Sequence, residues 1–428
     1  MRLTAVDDRV PLTLPSPSRG EGKAAPGRRT PNGVRLARRR WCSHAAVALA
    51  ILALAGGQGR PGAEEPAAPA APAVPPAPPP ATVDATYRKG LAYLLTHQNK
   101  DGSWGSFESA RVDEVYLGTL ASHTAFGDAT TGLCVMALLA PARENAEAAQ
   151  AVEKGAHYLF KKPPALRANA DALYSVWTQI YVLEAASAVL REPRLKPLHS
   201  DARRAARKQV EVLGQIQGSE GGFGYYDFNF AGSHPTGHES CSFTTAAALI
   251  ALDHAKAAGV DVPRDMVQDA QRNVSRLRLG DGAYIYGVYA QNVPQRLFNN
   301  VKGSLGRSQV CNLALWRYQA GLKQDDLRTG LDNLFRYHHF IEMGKGRPIP
   351  HESWYFTAGY YFFFGHYYAA QVARELPAEE GRKYLDGLQS IMCRLQDPDG
   401  SWWDFPLYGY YKAYGTAFAL LTLELAKR

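Results

Sequence analysis

Cysteine is scarce in this chain, with five among 428 residues, and one of them, Cys42, stands near the N-terminus. The other four are scattered rather than clustered. Charge of one sign is also lacking beyond residue 60. Residues 1–60 hold eleven Lys/Arg against three acids, and the remainder holds 37 of each, so the +8 excess belongs to the leader alone. Without a basic field in the body of the chain, nucleic acid is not an expected partner. A long hydrophobic run is missing too. The apolar stretch 45–55 has about eleven residues, too few to span a bilayer comfortably. No alternating β pattern appears at any length, which leaves an all-α body.

The N-terminus reads as a leader. Arg35-Leu-Ala-Arg38-Arg39-Arg40 precedes the apolar stretch 45–55, and small residues follow. That order of basic, apolar and small residues is a secretory signal peptide, with Ala53-Leu-Ala55 and Pro61-Gly-Ala63 as candidate cleavage sites. The expected location is therefore periplasmic or extracellular, with an N-terminal membrane anchor as the alternative if cleavage fails. Residues 1–33 resemble neither signal nor domain, and a true start near Val34 accounts for them. Residues 61–83 are Ala/Pro-rich and predict a disordered, semi-extended linker. The globular domain is then expected over 84–428.

Within that domain a short phrase recurs. It runs Gln98…Gly102-Ser-Trp104, Gln217…Gly221-Gly-Phe223 and Gln396…Gly400-Ser-Trp402. A worn copy has Asp281-Gly282-Ala-Tyr284, with Arg278 in the Gln place. The anchors lie at multiples of about 60 residues, the mark of a repeat architecture. Two intermediate units near Tyr158 and Tyr337 complete six. Each unit holds an amphipathic helix, the turn phrase, and a second helix apolar on nearly every side, which is expected to begin near Asp128 in the first unit and at Phe356 in the fifth. Helices of the latter kind are buried. The expected fold is an α6/α6 toroid of six helical hairpins with inner and outer rings. The phrase has a mechanical part in it: Gly for the turn, Gln for exposed helix-end carbonyls, and the aromatic for packing on a neighbour. Cys134 and Cys311 occupy equivalent positions on opposite sides of such a ring. Cys241 lies seven residues earlier in register, about 10 Å along the axis. Disulfides need Cα atoms within about 7 Å, so none is expected.

The phrase and its helix, Lys89-Gly-Leu-Ala-Tyr-Leu-Leu-Thr-His-Gln98 with Gly102-Ser-Trp104, resemble the QW repeat of the squalene and oxidosqualene cyclases. Protein prenyltransferase β subunits share that repeat. The resemblance implies the terpenoid-cyclase-type α/α toroid without fixing an activity. Cyclases protonate their substrate with an Asp-x-Asp-Asp acid, which this chain lacks. Asp325-Asp326 reads instead as the acidic first turn of an outer helix. Against the prenyltransferases, Glu239-Ser-Cys241 takes the place of a zinc-binding Asp-x-Cys, with His351 or His366 as the third ligand. Zinc is thus the one cofactor implied. Ser233 and Thr236 replace the cations that would hold a diphosphate.

A second echo pairs His238-Glu239-Ser240 with His351-Glu352-Ser353, each expected at the start of an inner helix. One reading makes Ser240 and Ser353 helix caps. The other sets His238, Glu239, His351 and Glu352 on a polar rim as acid/base groups. Below that rim, Tyr361, Phe364, Tyr411, Tyr414 and Trp354 are expected to line an aromatic cavity. The functional expectation is binding, and conversion, of a hydrophobic isoprenoid-like ligand. A scaffold for protein partners is one alternative. A polysaccharide-active toroid with Glu239 and Glu352 as paired carboxylates about 5–10 Å apart is another.

Overall fold

The computed structural model describes residues 74–112, 114, 117–161, 173–227 and 239–427. The expected signal peptide, most of the linker, Ser233, Thr236 and His238 lie outside the described residues.

Among the described residues, twelve long helices alternate between two rings. The outer set is α1 (Pro80–Thr96), α3 (Ala146–Lys161), α5 (His199–Ile216), α7 (Arg264–Arg276), α9 (Gln324–Arg336) and α12 (Ala378–Arg394). The inner set is α2 (Leu120–Leu139), α4 (Val176–Leu190), α6 (Ser242–Ala257), α8 (Val301–Arg317), α11 (Phe362–Arg374) and α13 (Tyr411–Leu425). A short helix, α10 (His338–Glu342), follows α9. Each inner helix packs on the next, and α13 returns to α2, so the inner ring is closed. Every outer helix packs on the inner helix before it in the chain, and α1 packs on α13. The fold is an α6/α6 toroid. No helix of the described residues is long and apolar enough to cross a membrane.

The recurrent phrase is the joint of this ring. Gln98 Nε2 donates to Gly102 O of its own turn and to Ala151 O of α3. Gln217 does the same to Gly221 O and Met266 O of α7, and Gln396 to Gly400 O and Thr86 O of α1. The last bond ties the sixth unit to the first. Gly102, Gly221, Gly282 and Gly400 all have φ between 83° and 93°, a conformation that only glycine adopts without strain. Trp104 and Trp402 are buried, and each indole donates to a carbonyl ten residues back, of Leu94 and Met392. Their backbone amides, like that of Phe223, donate to a threonine of the following inner helix: Thr131, Thr416 and Thr245. In the worn copy, Arg278 reaches Asp326 in the first turn of α9 at 2.6 Å.

Three boundaries differ from the sequence reading. Helix α1 begins at Pro80, within the expected linker, and Val74 packs on the core. Proline suits a first helical turn, where its missing N–H costs nothing. Helix α2 begins at Leu120 rather than near Asp128, because Thr119 caps it by accepting from Ser122 N. Helix α11 begins at Phe362, not Phe356. The residues before it form two 3₁₀ turns, Trp354–Phe356 and Gly359–Tyr361, and Tyr355 and Phe356 stand at positive φ.

Candidate functional site: the mouth at the inner-helix N-termini

Every inner helix is entered from an outer one, so the six run parallel. Their N-termini form one mouth of the ring and their C-termini the other. The loops of the N-terminal mouth carry most of the aromatic side chains. Below them the centre is filled. Trp177 of α4 meets Phe364 of α11, from the opposite side of the ring, with centroids 5.8 Å apart. Phe243 of α6 touches Trp177, Phe364 and Tyr361, and Phe364 touches Phe418 of α13. These are edge or stacked contacts of the favourable kind.

Above this packed shaft lies a floor of tyrosines. Tyr225 and Tyr286, from the loops after α5 and α7, join hydroxyl to hydroxyl. Tyr361 sits 6.3 Å from Tyr286. Beneath both is Arg307, a cation in the middle of inner helix α8. Its guanidinium lies 4.9 Å from the Tyr286 ring centre and 5.4 Å from that of Tyr361. It donates to the carbonyls of Gly303, Tyr284 and Phe298, while its Nε has no partner. Among the described residues it forms no ion pair. A buried charge is tolerated only where such dipoles and π faces replace water.

His351 borders the floor in a left-handed conformation, φ 64°. Its Nδ1–H donates to Phe356 O at 2.6 Å, which leaves Nε2 to accept from the Tyr360 hydroxyl at 3.0 Å. The imidazole is therefore neutral in this arrangement. Burial, ahead of the Arg307 charge, pulls its pKa down to about 4. Among the described residues, four of the five non-glycine residues at positive φ, His351, Tyr355, Phe356 and Tyr408, are on the loops of this mouth. Strain of that kind gathers where a site is held in a set shape.

The remaining expected residues divide. Tyr361 and Phe364 are in the floor and shaft. Trp354 is on the mouth loop and 47 % exposed. Tyr414 turns from the centre, donating to Asp404 and to Phe405 O, and Tyr411 packs on Trp403. Glu239 keeps contact with solvent, yet burial of its carboxyl and then the charge of Glu220 raise its pKa. Glu352 is exposed, with Arg347 at 4.0 Å. Neither serine caps a helix. Cys241 is the N-cap of α6, Ser240 bonds Glu220, and Ser353 donates to Thr357 O.

The expected zinc set does not come together. His366 points away from the mouth, with Nδ1–H on Phe362 O and Nε2 against His338 Nε2 at 2.9 Å, so both its nitrogens are engaged. Burial lowers its pKa to about 3. Cys241 is buried and its thiol is pushed up to about 12 by burial, which disfavours the thiolate a metal needs. No group of three metal-ligating side chains occurs among the described residues. These residues do not fit a zinc ion.

Arg307 and Tyr286 escaped the sequence reading. Arg307 was detectable as the one charge in the interior of the inner-helix segment, between Lys302 and Arg317 at its ends. The place of Tyr286 under the mouth had no such signal.

No family model matches the chain, and no curated protein does. Solved structures do resemble it. Cellobiose 2-epimerase from Bacillus thermoamylovorans aligns at TM-score 0.53 with 11% identity, over 80% of this chain and 99% of the epimerase. An α-1,6-mannanase of a Salegentibacter species, bound to α-1,6-mannotetrose, aligns at 0.51 with 10% identity, over 81% and 98%. The type II terpene cyclase MstE from Scytonema aligns at 0.45 with 13% identity, over 81% and 98%. The likeness is one of fold: this chain is an α/α toroid.

Proposed function

We propose that the N-terminal mouth binds a hydrophobic, isoprenoid-like molecule on the tyrosine floor. The observation that carries this reading is the continuous aromatic layer of half-buried Tyr225 with buried Tyr286, Tyr361 and Phe243, beneath a rim whose backbone is fixed in strained conformations. The ligand lies above the shaft, not in it, because Trp177 and Phe364 meet across the axis. Arg307 supports binding rather than cyclisation. A carbocation on the mouth side of the buried Tyr286 ring would stand about 9 Å from the guanidinium. At an effective dielectric near 20 the repulsion is about 2 kcal/mol, enough to oppose the intermediate a cyclase must stabilise. The same charge favours a ligand whose polar end is an acceptor or an anion. Saccharide hydrolysis by Glu239 and Glu352 has less support, since Glu239 neighbours Glu220 while Glu352 faces Arg347.

The test is titration of the full chain with farnesol, read by tryptophan and tyrosine fluorescence. Saturable quenching that weakens at least tenfold in Tyr286→Ala and in Tyr361→Ala is the expected result. Quenching that is absent, or identical in all three proteins, overturns the reading.

A further inference from the structure

We propose that the opposite end of the ring, at the inner-helix C-termini, is a second ligand site, which takes a small neutral polyhydroxylated molecule of the sugar or polyol class. This goes beyond the mouth and does not depend on it.

A cavity of about 850 Å³ opens there, lined among others by Arg191, His254, Trp316, Arg317 and Glu375. That volume is in the range of small-molecule sites, about 300–1,000 Å³. Four inner helices send polar side chains into this region. Glu184 of α4 is 3 % exposed and accepts from His254 Nδ1 of α6 at 2.5 Å. His254 Nε2 in turn accepts from Arg317 NH1 of α8 at 2.7 Å. Arg317 continues to Gln371 Oε1 of α11 at 3.3 Å and to Glu375 at 3.2 Å. Four helices thus join in one chain of hydrogen bonds, in which His254, Arg317 and Glu375 line the cavity and Glu184 and Gln371 stand behind them.

The chain is incomplete in a way that asks for a partner. Gln371 is 5 % exposed, and its Nε2, on the amide whose oxygen already holds Arg317, donates to nothing. Buried polar atoms are rarely left so, because the desolvation is uncompensated. A ligand with a hydroxyl supplies an acceptor for the amide.

The electrostatics select a neutral molecule. Asp253 and Glu375 stand against Arg191 and Arg317, and the one carboxylate in excess, Glu184, is buried and already held by His254. The inner-helix C-termini add negative potential that disfavours phosphate. The two arginines disfavour an amine. Trp316 offers a flat face, fixed by its Nε1–H bond to Glu375 Oε2 at 3.2 Å. An apolar sheet beside alternating donors and acceptors is what a pyranose ring presents in complement.

The experiment is saturation-transfer NMR and calorimetry of the full chain with cellobiose, with inorganic phosphate and farnesol run separately. Cellobiose is expected to bind, with affinity falling at least tenfold in Gln371→Ala and in Trp316→Leu, the latter a half-buried side chain that lines the cavity. Farnesol at saturation leaves cellobiose affinity unaltered, since the sites lie at opposite ends. Binding of phosphate in place of cellobiose, no binding of cellobiose, wild-type affinity in both variants, or displacement of cellobiose by farnesol would each overturn the proposal.

Discussion

Replacing Asp404 with asparagine removes one ionisation from the core and so isolates its contribution to stability. Asp404 is fully buried behind α11, where it accepts from Phe363 N at 3.0 Å and from the Tyr414 hydroxyl at 3.1 Å. Burial, only partly offset by those bonds, raises its pKa from 3.8 to about 7. The folded protein therefore holds this proton in a range where the unfolded chain has released it. The stability it contributes is complete below pH 4 and is lost as pH rises toward 7. With about 1.4 kcal/mol per unit, the loss across that window is about 4 kcal/mol. Two histidines act in the opposite sense. His351 and His366 are held neutral, with pKa values of about 4 and about 3, and weaken the fold as pH falls below 6.5. The total pH profile mixes these effects, so the informative quantity is the difference between wild type and Asp404→Asn. Urea unfolding at intervals from pH 4 to pH 8 gives it. The wild type should lose about 4 kcal/mol relative to the variant between pH 4 and 7, with no further change above. A difference independent of pH would refute the argument.

Three further outcomes are expected. Gln396→Ala removes the bonds that close the ring on Thr86 and Gly400, and about 1–3 kcal/mol of stability should go with them, measured by urea midpoint. Trp402→Ala leaves a buried cavity and removes the indole bond to the Met392 carbonyl, and costs about 3–5 kcal/mol by the same measurement. His366→Phe deletes the buried imidazole, so unfolding on acidification from pH 6.5 toward pH 3 should become shallower than in wild type; an unchanged acid limb would contradict the burial argument.

The ring was legible in the sequence because its joint is chemical. Gln98, Gly102 and Trp104 each have a separate task, and the same three tasks return at Gln217 and Gln396. Buried helices were legible as apolar ones. The start of α11 was not, since Phe356 continues the apolar pattern of Phe362–Phe364 while its backbone is left-handed. The zinc expectation rested on Glu239 and Cys241, two residues of a local spacing. Spacing says nothing of the third ligand, and His366 turns outward to His338 because Phe362 O holds its other nitrogen. Arg307 and Glu184 were each detectable as charges on apolar helices. What they meet, Tyr286 and His254, comes from other units and depends on how the ring closes.

The most direct test of the ligand-binding account is mass spectrometry of an organic extract of the full chain, purified from its own host, beside Tyr286→Ala handled identically. The account predicts an isoprenoid-class molecule in near-stoichiometric amount with the wild type and little with the variant. An extract free of such molecules in both, or equal amounts in both, would contradict it.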